Sequence, residues 1–235
     1  MMGTRRLSAL GVLALASLVA GEARAQEDGA RASGPEDAPW EARLAYRGAF
    51  VESSGYAPFS TNDYFAQVSL GASRVLFVRG RFAFAVGAMW DYGSTGATAR
   101  GVDTHLEMHR LTAPLSMRYT IVRWLDATAT IAPGAAYQSA SVDEASAPAS
   151  LVASTWVPAG DASLGVAWCF WSTSLGGVPL LFRATAEGGY AWAARMSLSL
   201  SPDLPASDPR LTAPTNLGEL AMNGGFGRVG VAVAF

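Results

Sequence analysis

The stretch Phe82-Ala83-Phe84-Ala85-Val86-Gly87-Ala88-Met89-Trp90-Asp91-Tyr92 decides the fold. Phe82, Phe84, Val86, Ala88, Trp90 and Tyr92 share one parity, while Ala83, Ala85, Gly87 and Asp91 share the other. A period of two is the mark of a β-strand with one apolar face and one small or polar face. The apolar face is itself ordered: rings stand at both ends and aliphatic residues between them. Rings concentrate at both headgroup levels when a strand crosses a bilayer, whereas a soluble core gives no reason to sort them by strand end.

Seven further segments repeat the pattern. Before it, Trp40, Ala42, Leu44, Tyr46 and Phe50 oppose Glu41, Arg43 and Arg47, and Tyr64, Ala66, Val68 and Leu70 oppose Gln67, Ser69 and Ser73. After it, Leu111 to Tyr119 alternates with Thr112, Ser116 and Arg118, and Leu125 to Tyr137 with Asp126, Thr128, Thr130 and Gln138. Leu164, Val166, Trp168 and Phe170 oppose Asp161, Ser163 and Cys169, and Phe182, Ala184, Ala186, Tyr190 and Trp192 oppose Arg183, Thr185 and Glu187. Val229, Val231, Val233 and Phe235 end the series, and Gly224-Gly225 upstream of them reads as a bulge that blurs parity.

The connections alternate in length. Glu52 to Asn62, Gly93 to Asp103, Ser139 to Ser154 and Ser197 to Asn216 read as long polar loops. Arg79-Gly80 and Val122-Arg123 read as tight turns, and Ser172 to Pro179 as an intermediate one. Alternate long and short connections are the pattern of transmembrane barrels, with the short turns on the periplasmic side. The fold class expected is therefore all-β: an antiparallel up-and-down transmembrane β-barrel of eight strands over residues 40–235. A soluble β-sandwich is the competing reading, since it also alternates.

Composition agrees. Half of the 235 residues are apolar, only 15% are charged, and mean hydropathy is +0.21. Yet beyond the N-terminus no apolar run reaches the roughly 20 residues a helical span needs. All 17 basic residues are Arg, and the net charge of −2 argues against a nucleic-acid partner. A single Cys excludes an intramolecular disulfide framework and a Cys-based zinc site.

The N-terminus reads as an export address. Arg5-Arg6 precedes an apolar stretch from Leu7 to Val19, and Ala23-Arg24-Ala25 fits a small-x-small cleavage site. Residues 1–25 are thus expected to be a signal peptide and 26–39 a flexible lead-in. Cleavage before Gln26 leaves 210 residues, with 14 Arg against 18 carboxylates.

Two segments carry a resemblance. Gly230-Val231-Ala232-Val233-Ala234-Phe235 looks like the β-signal of bacterial outer-membrane proteins, with Val229, Val231, Val233 and Phe235 as the assembly signal. Leu111-Thr112-Ala113-Pro114-Leu115-Ser116-Met117-Arg118-Tyr119 resembles the Pro-Leu-x-x-Arg/Lys-Tyr strand of small outer-membrane β-barrel proteins of the eight-stranded OmpA/OmpX-like kind. Ile131-Ala132-Pro133-Gly134 followed by Tyr137 is similar to that family's next strand. The resemblance implies an outer-membrane location and, as partners, the barrel assembly machinery, outer-membrane lipids and lipopolysaccharide. A monomer is expected and no cofactor is called for. The family is functionally mixed, so the fold alone names no role.

The inward parity collects Glu41, Arg43, Arg47, Asp91, Arg118, Asp126, Asp161, Arg183 and Glu187. Charges in a narrow interior must pair, because an isolated one costs several kcal/mol. An eight-stranded bore is just wide enough for side chains to fill it. An ion-paired plug in a barrel of structural, membrane-integrity or surface-contact role is the favoured reading. The alternatives are a narrow passive channel and, more remotely, a lipid-active enzyme.

Only His105 and His109 are available as histidines, and with Glu107 they share one strand face. That set invites a metal, but it does not match the helical His-Glu-x-x-His motif and has no fourth ligand. A solvated strand extension above the outer rim is favoured instead, and no catalytic or metal residue is assigned. Cys169 is expected to be a packed small residue. The outer connections hold Glu52, Asp103, Glu107, Asp143, Glu144, Asp203 and Asp208, which suits solvation or a divalent bridge to anionic lipopolysaccharide. Pro202, Pro205, Pro209 and Pro214 stiffen the last of them.

Overall fold

The computed structural model describes residues 38–99, 101–144, 149–204 and 215–235. The expected signal peptide and most of the lead-in lie outside them. Eleven strands are present: β1 (Trp40–Phe50), β2 (Tyr64–Arg79), β3 (Phe82–Ala99), β4 (Val102–Thr112), β5 (Leu115–Val122), β6 (Leu125–Glu144), β7 (Leu151–Leu175), β8 (Val178–Ala193), β9 (Met196–Pro202), β10 (Thr215–Leu220) and β11 (Gly224–Ala234).

Eight staves form a closed antiparallel ring. β4 and β5 make one stave, since both pair with β3 on one side and β6 on the other. The break between them falls at Ala113-Pro114, where Pro114 has no N–H to give to the ladder. Neighbouring groups span the gap: the Ala113 amide donates to Pro133 O at 2.8 Å and the Gly87 amide to Pro114 O at 3.0 Å. β11 pairs with both β8 and β1, from Glu41↔Ala234 to Ala49↔Phe226 on the β1 side, and this closes the ring. A closed ring leaves no edge, which a spanning sheet requires in lipid.

The outer surface is apolar around the circumference. Leu44, Leu70, Leu111, Ile131, Leu164, Val166 and Val231 are all exposed, Leu164 at 71%. In water so large a patch would invite association; facing acyl chains it is the expected surface. Ring pairs border it at both ends. Phe77–Phe84, Phe82–Tyr119 and Trp171–Phe182 lie at the end with the tight turns. Phe50–Tyr64 and an unbroken row Tyr92–His109–Tyr137–Trp156 lie at the other, with centroids 4.9 to 6.3 Å apart along the row. No helix among the described residues is long and apolar enough to cross a membrane.

Four expectations about connections are corrected. Ser172 to Pro179 is not an intermediate loop, because β7 and β8 run on to a two-residue turn at Gly176-Gly177. Both glycines there have positive φ (59° and 86°), the backbone that a tight hairpin demands. Gly93 to Asp103 and Ser139 to Ser154 are mostly paired strand, from Gly93↔Met108 out to Ala99↔Val102 and from Ser139↔Ser154 to Val142↔Leu151. Their Ser, Thr, Gly and charged residues read as loop because the outward face meets water there while residues such as Leu106 and Ala140 are buried inside the mouth, so the lipid-facing alternation is lost while the backbone ladder continues. Around the expected loop Ser197 to Asn216, β9 and β10 pair with each other outside the ring, and β9 pairs with β7 at Leu151↔Pro202 and Val152↔Ser201. The bulge at Gly224-Gly225 is absent, and the β11 register is regular from Gly224↔Ala191 to Ala234↔Leu181. Breaks occur instead near Leu76 and Phe170, where Phe77 and Trp171 join their neighbours on the lipid side.

Candidate functional site: the polar bore and its apolar cap

Period-two strands aim every second side chain into the bore. The nine charged residues of inward parity all stand there. Glu41 is the hub at the tight-turn end: its Oε2 accepts from Arg118 Nη2 at 2.7 Å and Arg183 Nη1 at 2.9 Å, and its Oε1 from Arg43 Nη2 at 3.3 Å. Arg118 Nε also lies 3.8 Å from Asp126 Oδ2. Arg43 then bonds Glu187, whose second oxygen accepts from Arg228 Nη1 at 3.2 Å.

Toward the loop end a second level begins. Asp91 accepts from Arg47 Nη1 at 3.0 Å and from the Ser69 hydroxyl at 2.5 Å. Arg47, Arg110 and Arg228 converge on Asp161 Oδ2 at 3.5 to 3.7 Å, and Arg110 also donates to Gly160 O. Arg47 and Arg228 are direct partners across β1 and β11, a like-charge pair. The Phe226 ring receives both guanidiniums, with Cζ atoms 4.3 and 5.4 Å from its centroid, and offsets part of that repulsion. Every charged group of the bore is thus linked, directly or through one neighbour, into one net.

Arg110 and Arg228 are members that the sequence reading did not collect. Arg110 shares parity with Thr112 but lies just ahead of the apolar alternation that begins at Leu111. Arg228 was hidden by the bulge assigned to Gly224-Gly225. Gln67 and Gln138, both buried, bring amides that find no protein partner.

Above the charges the bore turns apolar. Leu106, Met108, Ala136, Ala140 and Val157 line its wall, and Tyr56 and Phe59 drop in from the β1–β2 connection. Leu198 and Leu220 come from the β9–β10 hairpin, both fully buried. Polar contacts anchor the parts: the Ala221 amide donates to Ser53 Oγ at 3.2 Å, the Ala193 amide to Asn223 Oδ1 at 2.6 Å, and the Tyr56 hydroxyl to Tyr64 O at 3.0 Å. Burial pushes the Tyr56 phenol above its ordinary pKa. The connections expected to be polar loops therefore supply a small hydrophobic core that stoppers the barrel.

The other candidates fall elsewhere. His105, Glu107 and His109 occupy the outward face of β4, with His109 Nε2 3.2 Å from Glu107 Oε1. His109 is not above the rim but inside the aromatic row, between Tyr92 and Tyr137. Among the described residues no group of three His, Cys, Asp or Glu is placed to hold a metal. Cys169 packs against Ala38, Leu181 and Ala234 at the tight-turn end. Val229, Val231, Val233 and Phe235 point outward along β11. Asp208 lies outside the described residues.

An edgeless eight-stave ring with a continuous apolar belt, two aromatic borders and an ion-paired bore defines a transmembrane β-barrel of the outer-membrane class. The chain matches no protein-family profile and no curated protein. Among solved structures it is similar to Ail, the attachment invasion locus protein of Yersinia pestis, at 11% identity and TM-score 0.46, over 84% of this chain and 99% of that one. It is similar also to Neisserial surface protein A, at 13% identity and TM-score 0.45, over 83% and 97%. A third likeness is to the outer membrane protease OmpT of Escherichia coli, at 9% identity and TM-score 0.46, over 84% and 97%.

Proposed function

We propose that this chain is a non-conducting outer-membrane barrel that works at the cell surface: it anchors a braced outer rim for contact with molecules outside, and adds to membrane integrity. One observation carries the reading. The bore is shut twice, by the Arg–carboxylate net that runs from the tight-turn end to mid-height and by the apolar cap above it. An aqueous path would have to break both, and unpairing a single buried ion pair already costs about 3–5 kcal/mol. The rim suits surface contact because its extended strands are braced: β9–β10 packs into the mouth and ties to β7.

Outer-membrane lipids are the partners that the belt and aromatic borders fit. The outward valines of β11 and Phe235 suit reading by the assembly machinery. With lipid-facing residues on every stave, the barrel is taken to be monomeric. Planar-bilayer recording tests the reading. A flat trace at moderate voltage, from protein whose folded band shifts on heating, is the expected result. Steady unitary current would replace it with the narrow passive channel.

A further inference from the structure

The bore is not packed evenly. At the level where β1, β8 and β11 project Arg43, Glu187 and Arg228, the rest of the wall offers small side chains: Gly71, Ser73, Ser116 and Thr130 on β2, β5 and β6. Two cavities of about 30 and 20 Å³ remain between them, sharing Glu41, Arg43, Ser73, Ser116 and Thr130. About 10–15 Å³ is enough for one water-sized occupant. Neither cavity admits a phosphate or an organic acid.

The charge balance says what suits that space. Six guanidiniums face the bore (Arg43, Arg47, Arg110, Arg118, Arg183, Arg228) against five carboxylates (Glu41, Asp91, Asp126, Asp161, Glu187). One positive charge is left over. Arg does not deprotonate in proteins, so proton loss cannot remove it. Glu41 borders both cavities and Glu187 the larger one, but three Arg engage the first and two the second, so neither is free to draw in a cation. Arg228 lines the same cavity, and its buried Nε–H has no protein acceptor. Ser116 Oγ and Thr130 Oγ1 lie 3.0 Å apart, so one hydroxyl proton serves their mutual bond and the other is free for a further acceptor.

We propose that the bore binds one small monovalent anion of the chloride class between the Arg43 and Arg228 guanidiniums and the hydroxyls of Ser73, Ser116 and Thr130. The anion neutralises the surplus charge, accepts the orphaned donors, and fills space that the small-residue wall leaves open. Charge-assisted bonds to an anion are about twice as strong as neutral ones. The site is thus a structural one, and it does not depend on whether the barrel has a surface role.

The test uses the refolded full-length barrel in zwitterionic detergent. Thermal unfolding is followed in sodium bromide or chloride and in sodium gluconate at equal ionic strength. Tm is expected to rise saturably with either halide and to stay flat in gluconate. Ser73→Asp tethers a carboxylate at the site and is expected to raise Tm in gluconate and abolish the halide response. Ser116→Ala combined with Thr130→Val, which needs no new buried charge, is expected to move the halide midpoint tenfold or more upward. Crystals grown in bromide are expected to show one anomalous peak between Arg228 and Thr130. An unchanged halide response in both variants, or an ordered barrel with no bromide peak there, overturns the proposal.

Discussion

Arg47 and Asp91 meet across the bore with Nη1 3.0 Å from Oδ2, and both are buried. They stand on β1 and β3, 44 residues apart, so the bond crosses the stave between them. Each needs the other: the carboxylate also holds Arg228, and the guanidinium also reaches Asp161.

Removing one partner therefore strands several charges. Asp91→Ala is expected to destabilise the barrel by about 3–5 kcal/mol, whereas replacing both partners with apolar residues of similar volume is expected to cost much less. Urea unfolding in lipid vesicles, run as a double-mutant cycle, checks this. Additive losses would show that the pair is uncoupled.

The belt makes a depth prediction. Leu164→Arg places a charge in mid-bilayer and is expected to cost about 2–4 kcal/mol, while Ser94→Arg, one row beyond the aromatic border on β3, is expected to cost about 0–1. Equal costs in a vesicle-based unfolding assay would move the membrane boundary.

Alkaline pH should loosen the cap through Tyr56. Its phenol is raised in the folded state by burial, so the unfolded chain loses this proton first as pH rises. The stabilising contribution is full below the unfolded pKa and is lost as pH climbs past it toward the folded one. Hydrogen exchange over residues 196–202 and 215–220 should quicken above about pH 10, the ordinary phenol value. Tyr56→Phe should blunt that alkaline step.

Phe235→Ala is expected to lower the folded fraction in cells several-fold while leaving refolding in detergent intact. Gel mobility before and after heating reads both. Loss of detergent folding as well would make Phe235 a packing residue rather than a signal.

How much was legible follows from which physical signal each part leaves. Lipid on one face and bore on the other leave a period of two, so Leu44 against Arg43 or Ala186 against Glu187 could be assigned face by face. Beyond the bilayer the outward face meets water and the apolar side chains, such as Leu106 and Ala140, turn inward, so the paired strands carrying His105 and Ser141 lose the lipid-facing pattern while keeping their hydrogen bonds. The cap was illegible for another reason: Tyr56, Phe59, Leu198 and Leu220 form a core from segments that are remote in sequence, and no local period joins them. Arg228 was lost because consecutive glycines suggested a bulge where the ladder runs straight.

The seam between β1 and β11 has a bearing on how the molecule is made. β1 is the first stave to be synthesised, and its second neighbour is the stave farthest from it along the chain. Until β11 arrives, one edge of β1 is unsatisfied and half-formed arcs of sheet expose both apolar belt and bare amides. Contacts of such long sequence separation are slow to form. Escort of the open chain, rather than the strength of the finished cylinder, should then set the yield of this protein in the cell.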